Sequence, residues 1–177
     1  AHAAPDIGTA CPLSNHATIL SYPDPASANP MPDLAETARL ADLAWQLHGA
    51  ATQDIPTAVG FCAYIRHDCL RAVGLFRADL YGRGYGEEND FSMRAAQAGW
   101  RHVAAPGVFV AHAGETSFGA QAAGWRARNN SILSRRYPDY LPRVAAHIAA
   151  DPLHPARRAL DQARWRATRP PGARAVL

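Results

Sequence analysis

Apolar and polar positions along this chain alternate with two periods, and the switches between them mark out short strands and helices. Ile7-Gly8-Thr9-Ala10-Cys11 reads as a short strand that Pro12 stops. Residues 14–20 form a polar turn that runs into an apolar stretch. Pro23, Pro25, Pro30 and Pro32 predict a loop over residues 21–32. Asp33 is placed to cap a helix that runs to about His48. Leu40, Leu43, Ala44 and Leu47 give that helix one apolar stripe, and Gly49 ends it. Residues 56–65 are almost wholly apolar and predict a strand buried on both faces. A short helix over residues 67–73 follows, with Gly74 after it. A further helix from about Glu87 to Ala98 is expected to bury Phe91, Ala95 and Ala98 and to stop at Gly99. Two short strands fit residues 101–104 and 108–111, separated by Pro106-Gly107. Beyond Gly119 the pattern is helical, over about 120–136, 141–149 and from Pro155. Arg169-Pro170-Pro171-Gly172 reads as a linker-like tail. No internal repeat is present.

Strands mixed with helices in this order predict the α/β class. The 177 residues suffice for one domain with a real core. No run of about 18 apolar residues exists, so no transmembrane helix is expected. The first residues have neither a basic segment nor an apolar core, so a signal peptide is not expected. The chain begins without methionine, and the expectation is a processed product or a piece of something longer. Cys11, Cys62 and Cys69 are odd in number and form no C-x-x-C pair. Buried free thiols are expected, not a disulfide framework or a structural zinc site.

Charge is distributed unevenly. Residues 1–121 carry seven arginines and twelve acids, a net of −5, while residues 122–177 carry eleven arginines and three acids, a net of +8. Lysine is absent. A basic helical end can meet phosphate, acidic lipid or an acidic partner domain, and a solvated surface explains it equally. Nucleic-acid binding is not expected, because Trp125 and Trp165 are too few to form an aromatic platform among these arginines.

The most informative stretch is Gly82-Arg83-Gly84-Tyr85-Gly86-Glu87-Glu88-Asn89-Asp90-Phe91. Three glycines allow a tight bend and close approach to a ligand. The acids then sit on the first helical turn, where negative charge is favoured. Twenty-two residues after Asp90, His112 is placed to return towards them. A carboxylate here could act as general base on an attacking hydroxyl, and a neutral imidazole could ligate a divalent metal. The same residues also have structural readings. First-turn acids satisfy free amides, Asp90 and Arg94 are spaced for a surface ion pair, and a lone histidine at a strand end often serves only a hydrogen bond. Tyr85 could stack on a sugar or pack within its loop. Trp100 and Trp125 are expected in the core. Arg126 or Arg128, beside Asn129 and Asn130 on a helix, could meet a diphosphate or simply face water. Ser14 and Asn15 could line a cleft or form a turn.

Several pieces occur in an order that resembles family 2 glycosyltransferases of the GT-A fold. They are Gly60-Phe61-Cys62-Ala63-Tyr64-Ile65-Arg66, Val73-Gly74-Leu75-Phe76, Gly84-Tyr85-Gly86-Glu87-Glu88-Asn89-Asp90-Phe91-Ser92-Met93-Arg94, Ala98-Gly99-Trp100 and Val108-Phe109-Val110-Ala111-His112. Pro12-Leu13-Ser14-Asn15-His16-Ala17-Thr18 also resembles an upstream segment of bacterial members. The similarity spans roughly residues 5–145.

The resemblance implies a partial GT-A-like mixed sheet flanked by helices. It places an acceptor-side part over residues 1–119 and a basic helical extension over 120–177. It further implies an inverting enzyme that transfers a sugar from a nucleotide diphosphate-sugar to an acceptor hydroxyl, in bacterial cell-surface polysaccharide synthesis. In such a family Glu88 or Asp90 would be the catalytic base and Glu87 would contact the acceptor or orient the site. Gly60 and Phe61 would form a strand floor beneath the sugar. Tyr85, Gly86, Ser14 and Asn15 would line the substrate, and His112 would complete the sphere of Mn²⁺ or Mg²⁺ in the complete enzyme. A cytoplasmic location is implied, with the basic C-terminal helices meeting the inner membrane face or an adjacent domain.

The acidic motif departs from the commoner Glu-Asp-x-Asp by carrying Glu88 at its second position. No Asp-x-Asp metal motif occurs anywhere. The resemblance is therefore to an acceptor-side half without its donor-side half. The alternative is a catalytically inert glycan- or partner-binding module. A metal-dependent hydrolase would need more closely grouped His and Asp ligands.

Overall fold

The computed structural model describes residues 3–82, 84–114 and 122–168. Arg83, Gly119, the predicted helix start at Ala120 and the tail from Arg169 lie outside the described residues. Strand β1 (Ile7–Leu13) is central in a four-stranded mixed sheet with β2 (Gln53–Ile55), β3 (Tyr64–Ile65) and β4 (Arg101–Phe109). The order is β2-β4-β1-β3, with β1 parallel to β4 and both outer strands antiparallel to their neighbours. The helices are α1 (Leu34–His48), α2 (His67–Val73), α3 (Ala78–Tyr81), α4 (Glu87–Gln97), α5 (Ala122–Arg136), α6 (Tyr140–Ala150) and α7 (His154–Thr168). The α/β class is thus observed. Among the described residues no helix is long and apolar enough to cross a membrane.

Local chemistry explains several of these boundaries. Asp33 Oδ1 accepts from the Glu36 amide at 2.7 Å and fixes the start of α1. Gly49, at φ +48°, ends it. Leu40 and Ala44 are buried and Leu43 partly so, but Leu47 is exposed, so the stripe is narrower than its sequence pattern. Helix α1 packs along β4 and against α7. Leu153 and Leu160 from the C-terminal region join Leu13, Leu20, Tyr22 and Phe109 in the main core cluster.

Strand β1 does not stop at Pro12. The β3 partner pairs only with Thr9 and Ala10, and the register with β4 shifts between Pro12 and Leu13. Proline's missing N–H is therefore placed where the ladder is already interrupted. The two strands expected around Pro106-Gly107 are one strand, β4. Pro12 pairs with Ala105 and Leu13 with Phe109, so residues 106–108 form the irregularity. A side chain at Gly107 would meet the Gly49 carbonyl oxygen at 2.1 Å, so glycine lets this bulge press onto the end of α1.

The strand expected over residues 56–65 is absent. Only Gln53–Ile55 and Tyr64–Ile65 pair, and residues 58–63 are irregular. Their apolar character serves burial: Ala58, Val59, Phe61 and Ala63 pack in the main core cluster. Side chains take over the backbone bonds that a ladder would supply. The Ala58 amide donates to Ser92 Oγ at 3.0 Å, and the Val59 amide donates to Cys11 Sγ at 3.4 Å. Gly60 and Phe61 thus belong to a loop, not to a strand floor. Helix α4 ends at Gln97, and Ala98 is its exposed cap. Trp125 is 39% exposed, not core, and lies over Gly82.

Candidate functional site

The first turn of α4 is held in place by a buried polar chain that crosses the sheet. Thr9 Oγ1 lies 2.8 Å from His102 Nδ1, and His102 Nε2 lies 2.9 Å from the Ser92 carbonyl. The carbonyl can only accept, so Nε2 carries the proton and Nδ1 accepts from the threonine hydroxyl. Burial lowers the pKa of His102, which favours this neutral form. Ser92 Oγ donates to the Glu88 carbonyl at 2.8 Å. The chain ends at Glu88 and fixes the helix backbone beneath that side chain.

Glu88 is partly buried and accepts from the Gly86 amide at 3.2 Å. Burial first, and then the charge of Glu87, push its carboxyl above the ordinary glutamate range. No described arginine pairs with it. Its stem packs on Gly60, where an added Cβ would lie 3.3 Å from both Glu88 Cγ and Cδ. Gly86 has φ +120°, and a Cβ there would lie 3.1 Å from the Tyr81 ring. Asn129 of α5 pins the glycine loop by donating to the Tyr81 and Gly84 carbonyls, both at 2.8 Å. Tyr85 lies in this loop under the guanidinium of Arg126, 4.6 Å from its ring centre. Glu87 Oε2 is buried and meets no hydrogen-bond partner among the described residues.

Glu88 stands at the junction of two cavities. The larger is about 630 Å³. Thr57, Ala58, Glu88 and Asn89 line it, and Tyr140, Val144, His147 and Ile148 of α6 form a wall. Burial and the Glu88 charge push the Tyr140 phenol up to about 12. A smaller cavity, about 120 Å³, lies between Gly60, Phe76, Phe91 and Glu88.

Asp90 has a different setting. It is fully buried, with 0% exposure. Arg94 Nε donates to Oδ2 at 2.8 Å, and the Tyr137 and Tyr81 hydroxyls donate to Oδ1 at 2.9 and 3.3 Å. Arg136 and Arg77 stand 3.4 and 3.9 Å from Oδ1. The pair expected on the surface is a buried clamp between α4 and the C-terminal helices.

His112 and its neighbours form a separate group. Asn15 brackets the His112 backbone, accepting its amide at 2.8 Å and donating to its carbonyl at 3.0 Å. His112 Nδ1 lies 2.7 Å from the His16 carbonyl, so Nδ1 is the donor and the lone pair of the neutral ring is on Nε2. Phe61 stacks on the His112 ring at 5.1 Å and His16 at 5.8 Å. Ser14 is fully buried and pairs its backbone with Leu20 and Tyr22. His112 lines neither of the two cavities. Its link to Glu88 is the Gly60-Phe61 dipeptide, with Gly60 against the acid and Phe61 against the imidazole.

The donor set does not by itself fit a hard divalent cation. Among the described residues no three His, Cys, Asp or Glu side chains come together to hold a metal ion. Nε2 of His112 is one nitrogen ligand, whereas Mg²⁺ and Mn²⁺ take several oxygens. No step is assigned to a metal here.

Sequence reasoning missed Thr57, Tyr140, Val144 and His147 as parts of the cleft, and Thr9, Ser92 and His102 as its support. The apolar i, i+4, i+8 spacing of Tyr140, Val144 and Ile148 was the available signal for the wall. No family model, curated protein or solved structure matches the chain.

Proposed function

We propose that this chain is the acceptor-side part of an inverting glycosyltransferase, with Glu88 as the general base. The observation that carries this reading is the setting of Glu88: a carboxylate of raised proton affinity, with no arginine partner among the described residues, lining two cavities. A base whose pKa moves towards neutrality is suited to take a proton from a hydroxyl. In the step, the acceptor oxygen forms a bond to the anomeric carbon while its proton passes to Glu88. The bond from that carbon to the diphosphate oxygen breaks on the opposite face, and the nucleoside diphosphate leaves with the electron pair. In this reading Asp90, with its oxygens bonded to Arg94 and two phenols, holds α4. The nucleotide-sugar donor, the cell-surface polysaccharide acceptor and Mn²⁺ or Mg²⁺ remain part of the proposal for the complete enzyme. Contact of the basic C-terminal helices with a membrane surface or adjacent domain belongs to it as well.

A second reading, an inert glycan- or partner-binding module, is favoured by the lone metal ligand His112. Sugar transfer by the parent-length protein from a panel of nucleotide-sugars separates the two. Transfer that Glu88→Gln abolishes supports the enzyme. Transfer at full rate in Glu88→Gln removes Glu88 as base, and absence of transfer from every donor favours the module.

A further inference from the structure

Helix α6 turns one face towards a space that no described side chain fills. Tyr140, Val144, His147, Ile148 and the following Asp151 are spaced along a single helical stripe, and all line the cavity of about 630 Å³. Ile19, Pro25, Ala26, Ala58 and Val59 line the same cavity. Protein interiors are close-packed, and an apolar stripe ordinarily meets another apolar surface. Here the stripe meets a void of the size that takes small molecules, about 300–1,000 Å³. Ile148, 61% exposed, marks the rim.

The polar groups of this cavity are few and partly committed. Arg157 donates to the Ser21 and Ile19 carbonyls at 3.0 Å each and to Asp151 at 2.6 Å. Thr57 Oγ1 donates to Asn89 Oδ1 at 2.9 Å. Glu88 and Tyr140 lie close together, with the Tyr140 hydroxyl bonded to Thr57, and His147 lies near Arg157 and Asp151. A hydroxyl-rich oligosaccharide lying along the middle of the wall would leave its hydroxyls unpaired against Ile19, Val59 and Val144, which is costly. A benzene-sized ring needs a cavity of only about 150 Å³, so a single sugar would leave most of the volume unfilled.

We propose that the cavity takes a glycoside with an apolar aglycone, the sugar hydroxyl at Glu88 and the aglycone along the α6 stripe. Ligands of this kind are alkyl, acyl or prenyl derivatives of a sugar. Identifying the ligand as the acceptor rests on the glycosyltransferase reading; the binding site itself does not.

The test is calorimetry on the 177-residue chain with methyl, butyl and octyl β-D-glucosides, the last kept below its micellar threshold. Affinity is expected to rise about fourfold for each added CH₂ that becomes buried. Ile148→Asp, at the exposed rim, is expected to weaken octyl glucoside binding at least tenfold with an unchanged unfolding midpoint. Ala26→Trp, on the facing exposed loop, should weaken it similarly by blocking the opening. Equal affinity for methyl and octyl glucosides would overturn the proposal, as would no binding of either or octyl binding unaffected by both variants. The assay contains no donor sugar. Length-dependent binding in a protein that transfers no sugar would therefore uphold the site and remove only the transferase reading.

Discussion

Glu88 and Asp90 are two residues apart on one helical turn and live in opposite surroundings. Positions i and i+2 on a helix point about 200° apart, so one acid meets the cavities and the other the C-terminal helices. Asp90 is sealed from water, its oxygens taken by Arg94 and two phenols, with Arg77 and Arg136 close by. Among the described residues Glu88 meets only backbone amides of its own helix start, that of Gly86 at 3.2 Å, and has an acidic neighbour. A carboxylate whose lone pairs are committed to cations and phenols serves to tie elements of the fold together. One that is desolvated and under-solvated by partners gains proton affinity. The motif Glu87-Glu88-Asn89-Asp90 therefore sets one acid against the cavities and another against the C-terminal helices within a single turn.

The widest separation between the two acids is expected in function. Glu88→Gln should lower sugar transfer by the parent-length protein about 10²–10⁴-fold, the usual worth of a positioned base, while leaving the urea unfolding midpoint in place. Asp90→Asn should act on the fold. Removing one partner of a buried charge cluster costs about 3–5 kcal/mol, read by urea unfolding of the 177-residue chain. Activity loss in proportion to unfolding for both variants would erase the distinction.

The next effect is in pH. The raised carboxyl of Glu88 stabilises the fold fully below about 4.5, and that contribution is lost as pH rises through the folded value. Glu88→Gln should remove this decline. The depressed imidazole of His102 acts in the other direction. Its contribution is present above about 6.5 and is lost as pH falls through its folded value, so stability should drop as pH falls below about 6.5 and His102→Gln should flatten that drop. Unfolding midpoints measured across pH 4–7.5 check both slopes. The smallest effect is expected from Gly60→Ala. Its new Cβ would press on Glu88 at 3.3 Å and shift the carboxylate by a few tenths of an ångström. Transfer should fall by a factor on the order of ten or less with no measurable change in stability.

The helices were the most legible part of the sequence. Asp33 and Gly49 bracket α1, Gly74 closes α2, and α5–α7 follow an apolar period. These signals are local. The strand expected over residues 56–65 failed because an apolar run records burial and not the partner of its amides. Here those partners are Ser92 and Cys11, remote in sequence. The role of Asp90 was hidden for the same reason. Arg94 is four residues away and was visible, but Tyr137 and Arg136 arrive from α5 and the turn after it. Glu88 was legible as a candidate because the glycine loop and first-turn acids are contiguous. The α6 wall opposite it comes from more than 50 residues downstream, and only the fold brings it there.

The most direct measurement is a ¹³C NMR titration of the Glu88 carboxyl in the 177-residue chain, set beside the pH dependence of transfer by the parent-length protein. A midpoint clearly above the ordinary glutamate value of about 4.5, with transfer rising through the same pH range, is the expected result. A Glu88 midpoint at or below that value, or transfer that does not follow it, would contradict the assignment of Glu88 as the base.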